Sequence, residues 1–407
     1  MKKKLFFALA IASLGITFSC SSDDDTVTPT PEPGKDIEKT GLLNANETWT
    51  AGNIYILKGK VVVAEGTTLT IEPGTIIKGA QGTEANASAL VVDQGAKLIA
   101  NGTADKPIIF TSVDDNIKAG EKAGTNLTEA NVGLWGGVIV LGKAPISVAG
   151  DVKTAQIEGI PANESYGQYG GDDAADNSGS LKYISIRHGG ITIGQDNEIN
   201  GLTLGGVGSG TVIDNIEIVG NQDDGIEWFG GSVNATNLLT WASGDDGLDV
   251  DQAYSGTIKN ALVIKGKDSG SALELDGPEG SKATEKSFTM EDITINNNNN
   301  TSLIADLRDG VIVNLKNILA YNLGAGSSLK INGADSQAEL KNGRITFSNW
   351  EVLLPQGLTL DKFITDAKGE EAKFVSNAKA LNAIADAKVG ANVSVFDWTF
   401  AKSKKAF

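Results

Sequence analysis

GIEWFGGSVNATNLLTWASGDDGLDVD, residues 225–251, decides how this chain folds. Ile226 and Trp228 alternate with Glu227, a break follows at Gly230-Gly231, Asn237-Leu238 opens a second apolar run, and Leu248-Asp249-Val250-Asp251 repeats the opening pattern. Alternation over four or five positions, stopped by Gly, Asn or Ser, marks a short strand with one buried face. The first pattern recurs at Leu202, Ile226, Leu248, Leu273, Leu303 and Leu329, with separations of 24, 22, 25, 30 and 26 residues. The second keeps step with it at Asn215, Asn237, Asn260, Asp292, Asn317 and Asn342. Units this short cannot bury a core alone, so two registers moving together imply a stacked repeat.

A unit of two or three strands with no helical pattern between them fits one coil of a right-handed parallel β-helix, and the fold class is all-β. An antiparallel barrel would also alternate but would not need residue types to recur in register. Stacked coils do, because equivalent positions lie about 4.8 Å apart. Asparagines repeated at a turn then hydrogen-bond to one another along the axis, an architectural role. The texture extends upstream through 61–79, 89–113 and 134–146, with polar excursions at 114–131, 161–180 and 277–286. After Trp350 apolar residues fall at helical spacing among Ala and Lys, which predicts a small, partly helical C-terminal cap over the open end. The predicted order is a signal peptide (1–19), a tether (20–40), the β-helix (41–355) and the cap (356–407).

Composition agrees. Fifty glycines and nine prolines in 407 residues suit many short strands and tight turns. Lys2, Lys3 and Lys4 followed by the apolar run from Leu5 to Phe18 read as an export signal. The sole cysteine, Cys20, stands where that run ends, as a lipidation site would. With Cys20 acylated no thiol remains for a disulfide. Loss of residues 1–19, with three lysines and no acid, takes the formal charge from −17 to −20. Nucleic acid and anionic headgroups are poor partners for such a chain, and cations or neutral ligands suit it better. The tether has almost no large apolar residue. These features predict an outer-membrane lipoprotein held by its lipid alone and facing the cell exterior.

The run from Arg187-His188-Gly189-Gly190 through NEINGLTLGGVGSG, DDGIEWFGG and GDDGLDVD resembles a Bacteroidetes-type family of β-helix surface lipoproteins and secreted proteins of unassigned function. Ser22-Asp23-Asp24-Asp25 after Cys20 is similar to the acidic export signal of such surface lipoproteins. More distantly the coils resemble the pectate lyase and polygalacturonase superfamily, a likeness that says little about activity.

Inward phasing of Leu248 and Val250 turns their neighbours outward. One predicted outward column reads Thr203, Glu227, Asp249, Glu274, Ile304, Lys330; the other reads Gly205, Phe229, Asp251, Asp276, Asp306, Asn332. Carboxylates about 5 Å apart repel by about 3 kcal/mol per pair at an effective dielectric near 20. Protons, cations or a basic ligand relieve that repulsion. Asp224, Glu227, Asp246, Asp249, Asp251, Glu274 and Asp276 are therefore candidate Ca²⁺ ligands, since a hard cation takes six to eight oxygens; the other reading of the same residues is an acidic, solvated surface whose long side chains splay apart. Glu227, Phe229, Asp249, Asp251, Glu274 and Asp276 form the predicted binding face, with Phe229, Tyr254 and Trp241 available to stack on a sugar.

The catalytic alternative uses Asp223, Asp224, Asp245, Asp246 and Asp249. Asp245-Asp246 resembles the Gly-Asp-Asp segment of polygalacturonases, which work with paired carboxylates. The partner elements are missing: the one histidine is His188, read as locally hydrogen-bonded, and Arg187, Arg308 and Arg344 are read as lying outside the acidic coils. The sequence thus predicts a non-catalytic binding β-helix for a glycan or other extracellular polymer, calcium-assisted or partnered with an outer-membrane transporter. The rivals are a lyase or hydrolase of acidic glycans and a structural surface-layer component or adhesin.

Overall fold

A computed structural model describes residues 34–82, 86–193, 199–281 and 287–407. The predicted signal peptide, Cys20 and most of the tether lie outside these residues.

The strands Leu202–Gly205, Ile226–Phe229, Leu248–Asp251, Leu273–Asp276, Ala305–Arg308 and Leu329–Ile331 pair in parallel, with Leu202, Ile226, Leu248, Leu273, Ala305 and Leu329 in one row. Upstream, Val138–Leu141, Ala89–Val92 and the second half of Ile54–Val63 continue this first sheet. The other two sides of the coil come from long strands, among them Val212–Val219, Ala235–Trp241, Thr257–Ile264, Phe288–Asn296, Val313–Tyr321 and Ile345–Val352. Each bends once, at Asn215, Asn237, Asn260, Asp292, Asn317 and Asn349, where φ is 53° to 60°. The result is a right-handed parallel β-helix with three sheets.

The bend explains the asparagine register. Left-handed backbone costs most residues about 1–2 kcal/mol, and Asn and Asp tolerate it best because their short side chains bond locally. Here they bond along the axis. Asn260 Nδ2 donates to Asn237 Oδ1 (2.7 Å), Asn317 Nδ2 to Asp292 Oδ1 (2.8 Å) and Asn349 Nδ2 to Asn317 Oδ1 (3.1 Å). The sixth rung is Asn349, not Asn342, because the helix Gly333–Lys341 is inserted into that coil and Asn342 ends it.

The first sheet also corrects the alignment. Ala305, not Leu303, stands over Leu273, so Asp306 follows Glu274 and Arg308 follows Asp276. Ala305-Asp306-Leu307 alternates as well as Leu303-Ile304-Ala305 does, and only pairing across the long 277–304 connection chooses between them. Inward residues fill the coil with large rings; Tyr254 packs between Trp228 and Phe288 with centroids 6.0 and 5.5 Å away.

Three boundaries differ from expectation. Pairing starts at Asp36, inside the predicted tether, and continues past 355 through Ile364–Thr365 and Ala378–Ala380. The excursion predicted at 161–180 starts near Gly142; its hairpin, Ala155–Gln156 with Gln168–Tyr169, packs Ile157, Ile160 and Tyr169 on the outer side of the first sheet. Only part of 356–407 caps the end: Phe363 and Phe374 close the last coil, Phe374 lying 5.3 Å from both the Phe347 and Trp350 rings. The remainder runs back across the third sheet, formed by the halves of the long strands that follow the bend. Lys388 N donates to Glu351 (2.5 Å), Ala391 N to Thr294 (2.8 Å), Asn392 N to Asn260 (2.6 Å), and Phe400 N and Ala401 N to Glu217 (3.1 and 2.8 Å).

Candidate functional site: a roofed carboxylate cluster

Strand phase places the acidic column as the alternation requires. Leu248, Val250, Leu273 and Leu275 point into the coil, and Glu227, Asp249, Glu274 and Asp306 stack on its outside. Outside is not exposed, however. Glu227, Asp249 and Asp276 are only 6 to 8% accessible, because other parts of the chain lie over them. Asn200 Nδ2 donates to both Glu227 and Glu158, the latter carried by the 142–176 excursion. Tyr169 from the same excursion packs edge-on against Phe229 at 6.0 Å and donates to Gln252 (3.0 Å), whose Nε2 donates to Glu279 (2.9 Å).

This roof removes the predicted sugar platform. Phe229 is buried against Tyr169, Tyr254 is a core residue whose hydroxyl donates to Val233 O (2.5 Å), and Trp241 sits on the third sheet beside Phe400. Packing decided all three positions, and strand phase did not reveal it. His188 is buried with Nδ1 2.9 Å from Asn131 O, and burial lowers its pKa to about 4.

The seven predicted metal ligands separate into groups. Asp224, Glu227 and Asp249 each bring a carboxylate oxygen within 4.8 Å of the others, and Asp224 meets Asp223 and Asp245 in the same way. Asp223 is partly exposed and Asp245 exposed, so the second triad forms the outer end of the first. Asp246 is engaged at the corner, where its side chain accepts the Ser271 N–H as Asp224 Oδ1 accepts that of Asp246 (2.7 Å). Asp276 is neutralised by an arginine that the sequence reading placed elsewhere, and Glu274 lies between that arginine and Asp246, to which its carboxyl is hydrogen-bonded. Arg308 holds Asp276 bidentately (2.8 and 2.6 Å) and reaches Glu274 at 2.5 Å. Its true position follows from the two-residue register correction. Asp251, half-buried, lies between the two groups.

Charge dominates the site. Burial, then neighbouring carboxylates, pushes Asp224, Glu227, Asp249 and Asp251 well above the usual carboxylate range. The same causes lift Asp246 to about 7 and Glu274 to about 9, while Asp276 raises Arg308 further. Asp249 Oδ1 is buried and has no hydrogen-bond partner among the described residues. An unpartnered anionic oxygen in such surroundings costs several kcal/mol unless a proton or a cation meets it. The arrangement can therefore hold protons tightly, or exchange them for a hard cation at Asp224, Glu227 and Asp249, with Asp223 and Asp245 toward solvent. Sequence reasoning missed Asn200, Glu158, Gln252 and Glu279, which belong to turns and excursions without periodic signal.

Fold and site together define a parallel β-helix with an acidic centre on its outer wall. The chain belongs to the family described as the pectate-lyase-like beta helix domain, whose model matches residues 41–402. No curated protein matches it in sequence.

Proposed function

We propose that this protein is a lipid-anchored, exterior-facing and non-catalytic β-helix of the outer membrane, whose carboxylate cluster binds calcium and whose outer surface engages a glycan or another extracellular polymer. The observation that carries the cation part is the buried, unpartnered Asp249 Oδ1 in a triad with Asp224 and Glu227. Sequence supports the anchor, through Cys20 at the end of the export signal and the acidic run Asp23-Asp24-Asp25 after it. The state of the basic groups supports a non-catalytic role. His188 is buried and bound to a carbonyl, Arg187 is buried near Glu217 on the third sheet, and Arg308 is fixed by two carboxylates with its pKa raised, so none of these three is poised to abstract a proton. Burial of Phe229 and the acidic column moves the polymer contact off these coils, and an outer-membrane transporter would meet the same remaining surface.

Calorimetric titration of purified protein with calcium, followed by a polysaccharide array with and without the ion, tests the reading. It fails if no heat of binding appears and no polymer is retained. One observation favours a second reading: Asp223 and Asp245 stand at the solvent end of a cluster whose buried carboxyls are pushed well above the usual range by burial and by one another, as an acid–base pair for glycan cleavage would. Turnover of uronate-rich glycans that disappears in Asp245→Asn would establish it.

A further inference from the structure

The third sheet continues upstream through Ile108–Ser112 and Ile76–Gly79, and one of its outward columns runs Ile76, Ile109, Ser185, Glu217, Leu239, Leu262 in register. Two segments cover it. Ile76 and Ile109 lie under Ile117 of the 114–131 excursion, and Leu239 and Leu262 lie under Phe396 and Ala401 of the run 388–407. Between these apolar patches stand Ser185 and Glu217, with Arg187 and His188 beside them. All four are buried, and the acidic cluster of the first sheet uses none of them.

Arg187 and His188 each touch both covers. Arg187 is 2% exposed; its Nη1 donates to Lys122 O of the excursion (2.9 Å), and its guanidinium carbon lies 4.5 Å from the centre of the Phe400 ring. His188 Nδ1 is 2.9 Å from Asn131 O, at the end of the excursion, and its ring meets that of Phe400 edge-on at 6.5 Å. Glu217 accepts the N–H groups of Phe400 and Ala401 and also the Ser185 hydroxyl (2.5 Å), and Ser185 Oγ in turn accepts Arg187 Nε–H (2.7 Å). Arg187 Nη2 stands 4.0 Å from Glu217, so the four side chains form one network fastened to both segments.

A buried charge that loses a partner is left uncompensated. If residues 396–404 lift away, Glu217 loses two donors and Arg187 its ring. Water then reaches the guanidinium and weakens its bond to Lys122 O, because charge-assisted hydrogen bonds are strongest where water is excluded. If the excursion lifts away, Arg187 loses that carbonyl and water reaches Glu217 from the other side. We infer that Arg187 and Glu217, with Ser185 and His188, form a latch that couples the two covers, so that the 114–131 excursion and residues 396–404 open and close over the third sheet as one unit. The latch is independent of the calcium reading, since the two sites share no residue.

Hydrogen–deuterium exchange of the full chain, read by mass spectrometry of peptic peptides, tests the coupling in both directions, because coupling between two elements is reciprocal. Phe400→Ala should speed exchange across 116–128 about fivefold or more. Asn126→Ala removes the acceptor of the Asn116 N–H and a donor to Asp114 O inside the excursion, and it should speed exchange at Phe400 and Ala401 to a similar degree. Thr294→Val removes the acceptor of the Ala391 N–H, so exchange should quicken there while 116–128 keeps the wild-type rate. Should Phe400→Ala fail to fold, Asn126→Ala, which replaces an exposed side chain, decides. Unchanged exchange across 116–128 in a folded Phe400→Ala variant, unchanged exchange at 400–401 in Asn126→Ala, or loosening of 116–128 by Thr294→Val equal to that by Phe400→Ala would overturn the inference.

Discussion

Replacing Asp249 by Asn should stabilise the protein without calcium and abolish stabilisation by calcium, a reversal that no purely structural role for the residue produces. Asp249 stands between Glu227 and Glu274 in the column, is 8% exposed, and has an unpartnered Oδ1. At mildly alkaline pH the folded protein either keeps this carboxyl protonated or tolerates its charge beside Glu227 and Asp224. Each close pair costs about 3 kcal/mol at an effective dielectric near 20. Asparagine has the same shape and no charge, so the metal-free variant should gain about 2–3 kcal/mol after allowance for a missing acceptor. Saturating calcium at about a hundred times its dissociation constant should stabilise the wild type by about 2.7 kcal/mol and leave the variant unmoved. Urea unfolding followed by tryptophan fluorescence, in chelator and in excess calcium, gives all four midpoints. A metal-free variant less stable than wild type, or one that calcium stabilises as strongly, would refute the charge-relief argument.

Three other outcomes are expected. In chelator, the wild type should lose stability as pH rises, because Asp246 and Glu274 bind protons more tightly folded than unfolded: their contribution is complete below about pH 4 and is lost through about 7 for Asp246 and about 9 for Glu274, with Asp246 alone worth up to about 4 kcal/mol in a urea titration across that window. Arg308→Gln leaves Asp276 without its cation and should cost about 2 kcal/mol, less than for a fully buried pair because the arginine is partly solvated; differential scanning calorimetry at neutral pH measures it. Glu217→Gln removes a carboxylate that accepts the N–H groups of Phe400 and Ala401 and the Ser185 hydroxyl, so the C-terminal run should detach and be trimmed by protease many times faster while the coils remain resistant, as mass spectrometry of a limited digest would show.

Where local period governs, the sequence was legible. Alternation at Leu248 and Val250 told which side chains enter the coil, because a strand has only two faces and the apolar one must be buried. Recurring Asn and Asp gave the bend and its ladder, because few residues accept left-handed backbone. The grouping of Asp224, Glu227 and Asp249 followed from the same stacking. Where contacts come from far along the chain, the sequence was silent. Whether Leu303 or Ala305 stands on Leu273 is a matter of cross-strand pairing after a long connection, and with it goes the place of Arg308.

The sequence by itself determined a right-handed stack of coils and the direction each side chain takes from it, since a two-residue period and a turn preference are local properties. Only the tertiary structure decided that the outward carboxylates are roofed, that Phe229 packs against Tyr169, and that the last residues return along the third sheet. Burial is settled by whatever segment comes to lie on top, and the segments here, 142–176 and 388–407, carry no periodic pattern that announces where they dock.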